Sequence, residues 1–149
     1  MHFFDHFQRP RNNRMFDISL FTAQQKRIVE IKKPDGTQII DKNGESPWIE
    51  VFPKGSVQYA KAISAAQQRA KDASAKRGVD ATEALKANAT QLLADCIGDS
   101  NFTGQDGSPL RGANAWRAYL DDPTKIIIRD QVDVAIGEAS LEDGVDFLS

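Results

Sequence analysis

The run "DATEALKANATQLLADCIGD" constrains the fold more than any other part of the chain. Asp80 or Thr82 is placed to cap a helix, and Glu83 follows Asp80 by three positions, a capping-box spacing. Ala81, Leu85, Ala89, Leu92, Leu93, Cys96 and Ile97 then recur at helical intervals. A broad apolar face of this kind has to be covered by other elements, so the chain is expected to build its core around it.

A second helix is expected just before it, in "KGSVQYAKAISAAQQRAKDASAKRGVD". Ser56 is a capping residue and Gly78 a terminator. Val57, Ala60, Ile63, Ala70 and Ala73 form its stripe, with Ala66 or Gln67 between. The stripe is thin and rich in alanine. Small side chains let another backbone come close, but they bury little area, so such a helix is weakly fixed by its own chain.

Two more helical patterns follow. Trp116, Tyr119 and Leu120 share a face of a short helix, and Pro123 suits the first turn of the next. There Ile127, Ile128, Gln131, Val132, Ala135 and Ile136 keep a helical period, with Ile126 and Val134 at its borders. "IIIRDQVDV" also scans as a strand, but the proline and the following "AIGEA" favour helix.

The segment before Ser56 reads differently. "RIVEIKK" and "TQII" flank "PDG", where proline presets φ and glycine accepts positive φ. "DKNGES" is a second turn, and "PWIEVF" alternates in the manner of a strand bracketed by Pro47 and Pro53. Two or three short strands are expected. The fold class is therefore mainly α with a small N-terminal antiparallel β-sheet (α+β), completed by a bundle of about four helices. Residues 1–14 form a basic arm and 15–149 a single domain, in which 15–55 are β-rich, 56–140 helical and 141–149 an acidic tail.

The chain has 149 residues, 40% hydrophobic and 27% charged, enough for one domain with a core. A net charge of −2 and a pI near 5.7 argue against a nucleic-acid partner. No apolar run approaches the roughly 20 residues that cross a bilayer. "MHFFDHFQRPRNNR" is not a secretory signal, because its arginines follow the apolar residues. A cytoplasmic location with no membrane partner is expected. Charge is uneven: Arg9, Arg11 and Arg14 mark the start, while Asp130, Asp133, Glu138, Glu142, Asp143 and Asp146 mark the end. Such ends can attract each other within one chain or between copies.

One stretch, "DSNFTGQDGSPL", scans like the opening of an EF-hand. Asp99, Asn101 and Thr103 alternate and Gly104 falls sixth. The twelfth position, where an EF-hand has a bidentate carboxylate, is Leu110, and the ninth is Gly107. The reading preferred is a polar connector, with no metal or other cofactor.

Catalytic patterns are missing as well. There is no phosphate loop, no nucleophile elbow and no HExxH. The single cysteine, Cys96, lies in an apolar run, far in sequence from His2 and His6. A buried thiol is expected rather than a nucleophile. The chain reads as a non-enzyme that acts by binding other proteins.

The order of features carries a resemblance. "PWIEVFPKGSVQYAKA" leads into a small-residue helix. "LLADCIGDSNF", a "DGSPL" loop, "AYLDDPTKIIIRDQVDVAI" and an acidic end with "DFL" follow. From residue 28 to 148 this ordering resembles the tail assembly chaperones of long-tailed (siphovirus-like) bacteriophages. The resemblance implies a non-enzymatic helper in the host cell cytoplasm that binds the tape-measure protein and recruits tail-tube subunits. The alternative is a structural tail or head-tail connector component that stays in the virion. The resemblance supplies no residue-level site. Side-chain chemistry points to Trp48, Phe52, Tyr59, Phe147 and Leu148 as protein-interaction residues, because aromatic and large apolar groups dominate interfaces. The competing role for Trp48 and Phe52 is to cover the helices.

Overall fold

The computed structural model describes residues 21–76, 78 and 80–141. In chain order these form strands β1 (Arg27–Glu30) and β2 (Trp48–Val51), helices α1 (Val57–Ala75) and α2 (Ala81–Asp95), strand β3 (Ile97–Ser100), helix α3 (Ala113–Asp121), a 3₁₀ turn (Pro123–Lys125) and helix α4 (Ile126–Gly137). Four α-helices and a three-stranded antiparallel sheet make this the expected α+β fold.

The sheet departs from expectation in its third strand. The "PDG" turn forms, with Gly36 at φ 85° and Asp35 Oδ1 accepting hydrogen bonds from the amide and hydroxyl of Thr37. Beyond it, however, only the bridge Lys32 to Gln38 continues, and "TQII" is not a strand. β2 lies in the middle instead, paired with β1 on one side and with β3, from beyond α2, on the other. The reason is burial. Ile49 and Val51 turn one face of β2 into the core beside Ile97, whereas Ile40 stays exposed and has nothing to gain from pairing. The β2–β3 register slips between Ile49 and Val51. Gly98 sits at that irregularity, where a Cβ would meet the Glu50 carboxylate and come within 3.3 Å of the Phe52 ring.

Ser56 caps α1 as expected, its Oγ accepting from the Tyr59 amide at 3.1 Å. The buried face of α1 is rotated from the expected stripe: Val57, Ala60 and Ala70 are exposed, while Ala62 is buried and Tyr59, Ile63, Ala66, Arg69 and Ala73 are half-buried. Alanines specify a helix's rotation weakly, because each contributes little burial. Polar contacts decide it here: Arg69 Nε donates to Asn88 Oδ1 at 2.6 Å, and Asn88 Nδ2 donates to the Ala66 carbonyl at 2.9 Å.

Asp80 caps α2, accepting from the amides of Thr82 and Glu83. The helix ends at Asp95, one residue before Cys96, so Ile97 belongs to β3. Thr90, Leu93 and Ala94 are its buried positions, and Leu85, expected in the core, is 72% exposed. The core joins Ile49 and Val51 to Leu93, Ala94, Cys96 and Ile97, to Trp116 and Leu120 of α3, and to Val132, Ala135 and Ile136 of α4. The helical reading of "IIIRDQVDV" holds, introduced by Asp122, which accepts from the Thr124 amide and hydroxyl. Those bonds, the backbone one first, hold the Asp122 carboxyl below its ordinary pKa.

Candidate functional site

The stretch 99–110 is not a free connector. Its start completes the sheet, and the Asn101 side chain extends the pairing: Oδ1 accepts from the Trp48 amide at 2.8 Å, and Nδ2 donates to the Ser46 carbonyl at 2.9 Å. Asp106 Oδ1 accepts from the amide and hydroxyl of Ser108, closing a turn under the Thr103 to Pro109 bridge. The Asn101 oxygen, at one of the ligand-like positions of the sequence, is thus committed to the chain itself, as is that of Asp106. Phe102 then anchors the loop to α3, its ring centroid 5.5 Å from Trp116 and 6.0 Å from Tyr119. Among the described residues, no three His, Cys, Asp or Glu side chains converge in a way that could hold a metal ion.

Cys96 is fully buried against the sheet. Burial first, and the neighbouring Asp95 carboxylate second, push its thiol pKa up to about 12. The nucleophilic species is the thiolate, so the native thiol should react with iodoacetamide at pH 8 on the order of a thousandfold slower than a free cysteine. Mass spectrometry of timed aliquots, with and without denaturant, checks this.

A concavity lies elsewhere, between the end of α1 and the beginning of α2. It is a groove of about 510 Å³, walled by alanines that include Ala70, Ala73, Ala81 and Ala84, with Leu85 also lining it. Alanine on both helices creates it, since methyl groups leave space between the two backbones unfilled. Three cations line it, Arg69, Lys76 and Arg117, and no carboxylate does.

A polar network fixes two of those cations. Arg69 Nη1 lies 3.6 Å from Asp95 Oδ2, Gln91 Nε2 donates to Asp95 Oδ1 at 2.9 Å, and Arg117 Nη1 donates to Gln91 Oε1 at 3.0 Å. Arg117 Nε also reaches Asp121 Oδ2 at 3.3 Å. The network joins α1, α2 and α3 and holds the groove's inner end in place. Arg69 Nη2 is buried without an acceptor, and Lys76 forms no ion pair among the described residues.

The interaction residues expected from sequence do not gather at this groove. Phe52 and Tyr59 pack against the core, and Trp48 is half-buried on β2 with Glu30 as its Cα partner. Phe147 and Leu148 lie outside the described residues. The groove itself was missed because Leu85 scans as a core position. Its only sequence signal was the density of alanines on two successive helices.

No family model, no curated protein and no solved structure matches the chain. Among the described residues, no helix is long and apolar enough to cross a membrane.

Proposed function

We propose that the protein is a non-enzymatic assembly helper that binds a helical segment of another polypeptide in the α1–α2 groove. The observation that carries this reading is the groove's combination of an alanine wall, an exposed leucine and three lining cations with no lining carboxylate. Alanine walls admit a close-packed helix, Leu85 offers an apolar anchor, and cations select acidic flanks on the guest. The resemblance to tail assembly chaperones of long-tailed bacteriophages supplies the client: the tape-measure protein, with recruitment of tail-tube subunits as the outcome, in the host cytoplasm.

Co-expression of the full chain with the polypeptides encoded beside it, followed by affinity capture, tests the proposal. Capture of a long helical polypeptide, with the protein absent from finished particles, is the expected result. Stable incorporation of the protein into particles would support a connector role instead.

A further inference from the structure

The chain itself carries a helix face of the kind the α1–α2 groove would take. On α4, Ile126, Ile127, Asp130, Asp133, Val134 and Gly137 are exposed, and their spacing sets them in one stripe along the helix. Ile126, Ile127 and Val134 are large apolar side chains left in water. Asp130 and Asp133 form no ion pair among the described residues. The only cation of α4, Arg129, is half-buried. Of the four helices, only α4 exposes large apolar residues and carboxylates with no exposed cation. Helix α1 exposes Lys61 and Lys71, α2 exposes Lys86, and α3 exposes no large apolar residue.

Charge and length both match the groove. Its charged lining residues are Arg69, Lys76 and Arg117, with no carboxylate. Arg69 and Arg117 already face Asp95 and Asp121, while Lys76 has no ion-pair partner among the described residues. Along α2 the groove runs from Ala81 to Gln91, about 15 Å of helix, and the stripe from Ile126 to Val134 covers about 12 Å. Leu85 supplies an exposed apolar contact for it. A groove-to-groove pairing would instead set cations against cations. Nor can α4 enter the groove of its own chain, because Val132, Ala135 and Ile136 hold it in the core with the stripe turned outward.

We infer that the α1–α2 groove of one copy takes the exposed stripe of α4 from a second copy, with Ile127 and Val134 toward Leu85 and the alanine wall and Asp130 and Asp133 toward the groove's cations. The contact is heterologous. Each copy offers one groove and one stripe, so association continues through further copies or closes into a ring. It covers the apolar surface of both elements, and a client helix with acidic flanks competes for the same groove. This rests on the groove accepting an acidic-flanked helix, and not on which client it serves.

Sedimentation velocity of the full chain over a concentration series tests it. The average mass of the parent should rise with concentration above 16.5 kDa. Leu85→Asp spoils the groove and Val134→Asp the stripe. Both positions are exposed, so circular dichroism should show both variants folded. Each variant alone should associate at least tenfold more weakly than the parent. An equimolar mixture of the two should regain association and stop at a dimer, because one intact groove then meets one intact stripe. A parent that stays monomeric up to about 1 mM overturns the inference. So does parent-like association of either variant alone, or a mixture no larger than its components. Client capture is read separately. A monomeric parent that still captures client contradicts this inference alone, and a self-associating parent that captures none contradicts the client reading alone.

Discussion

Trp116→Ala is expected to remove about 3–5 kcal/mol of stability, the range for truncating a large buried aromatic. Trp116 is 0% exposed and lies where α3 meets the core. It also holds the loop through Phe102 at 5.5 Å and packs on Tyr119 of its own helix at 5.4 Å, in tilted and edge-to-face arrangements that add about 0.5–1.5 kcal/mol per pair. Domains of this size have about 5–15 kcal/mol in total, so the variant should stand near the edge of folding. Trp116→Phe should cost distinctly less. The indole Nε1 is buried with no acceptor among the described residues, and phenylalanine removes that unsatisfied donor while keeping a ring in the space. Urea unfolding followed by circular dichroism measures both variants. Equal losses would show that the indole N–H contributes favourably, against the geometry.

The second large effect is expected from Val132→Asp. Val132 is 0% exposed in the middle of α4, on the side that closes the core over the sheet. A carboxylate placed there loses its hydration among the apolar side chains of the core, a cost of at least about 3 kcal/mol. The sign with pH follows from burial. Desolvation raises the folded-state pKa of the new Asp above its unfolded value near 3.9, so the folded form holds its proton longer. Relative to the parent at the same pH, the deficit should be smallest below about pH 4 and should grow as pH rises toward the folded pKa. Denaturant midpoints of both proteins from pH 3.5 to 7 check this, and a deficit independent of pH would contradict it.

Much of the architecture was legible because local signals agreed with one another. Ser56 and Asp80 stand at helix starts, Pro123 opens the turn into α4, and Pro47 and Pro53 bracket β2. Trp116 and Leu120 are buried on the face their spacing indicated. What was not legible depended on contacts between distant segments. "IGDS" has no strand signature of its own and becomes β3 because the edge of β2 and the core beneath Ile97 accept it. The rotation of α1 follows from Arg69 meeting Asn88 of α2, a pairing that periodicity along one helix does not contain. The groove is the same kind of feature. Leu85 shares its spacing with core residues, yet the alanines around it leave it uncovered. Aromatic residues drew attention to Phe52 and Tyr59, but these pack against the chain's own core.

The central claim is that a helical polypeptide docks in the α1–α2 groove, and the amount of client held in solution by a groove variant tests it most directly. The full chain carrying Leu85→Asp is co-expressed with the client proposed for it, a tape-measure protein. It is compared with the parent and with Val134→Asp, another exposed apolar position, on α4 and outside the groove lining. With all three folded by circular dichroism, the account predicts at least a tenfold loss of soluble client for Leu85→Asp, equivalent to about 1.4 kcal/mol of binding, and no loss for Val134→Asp. Equal retention by all three proteins would contradict it.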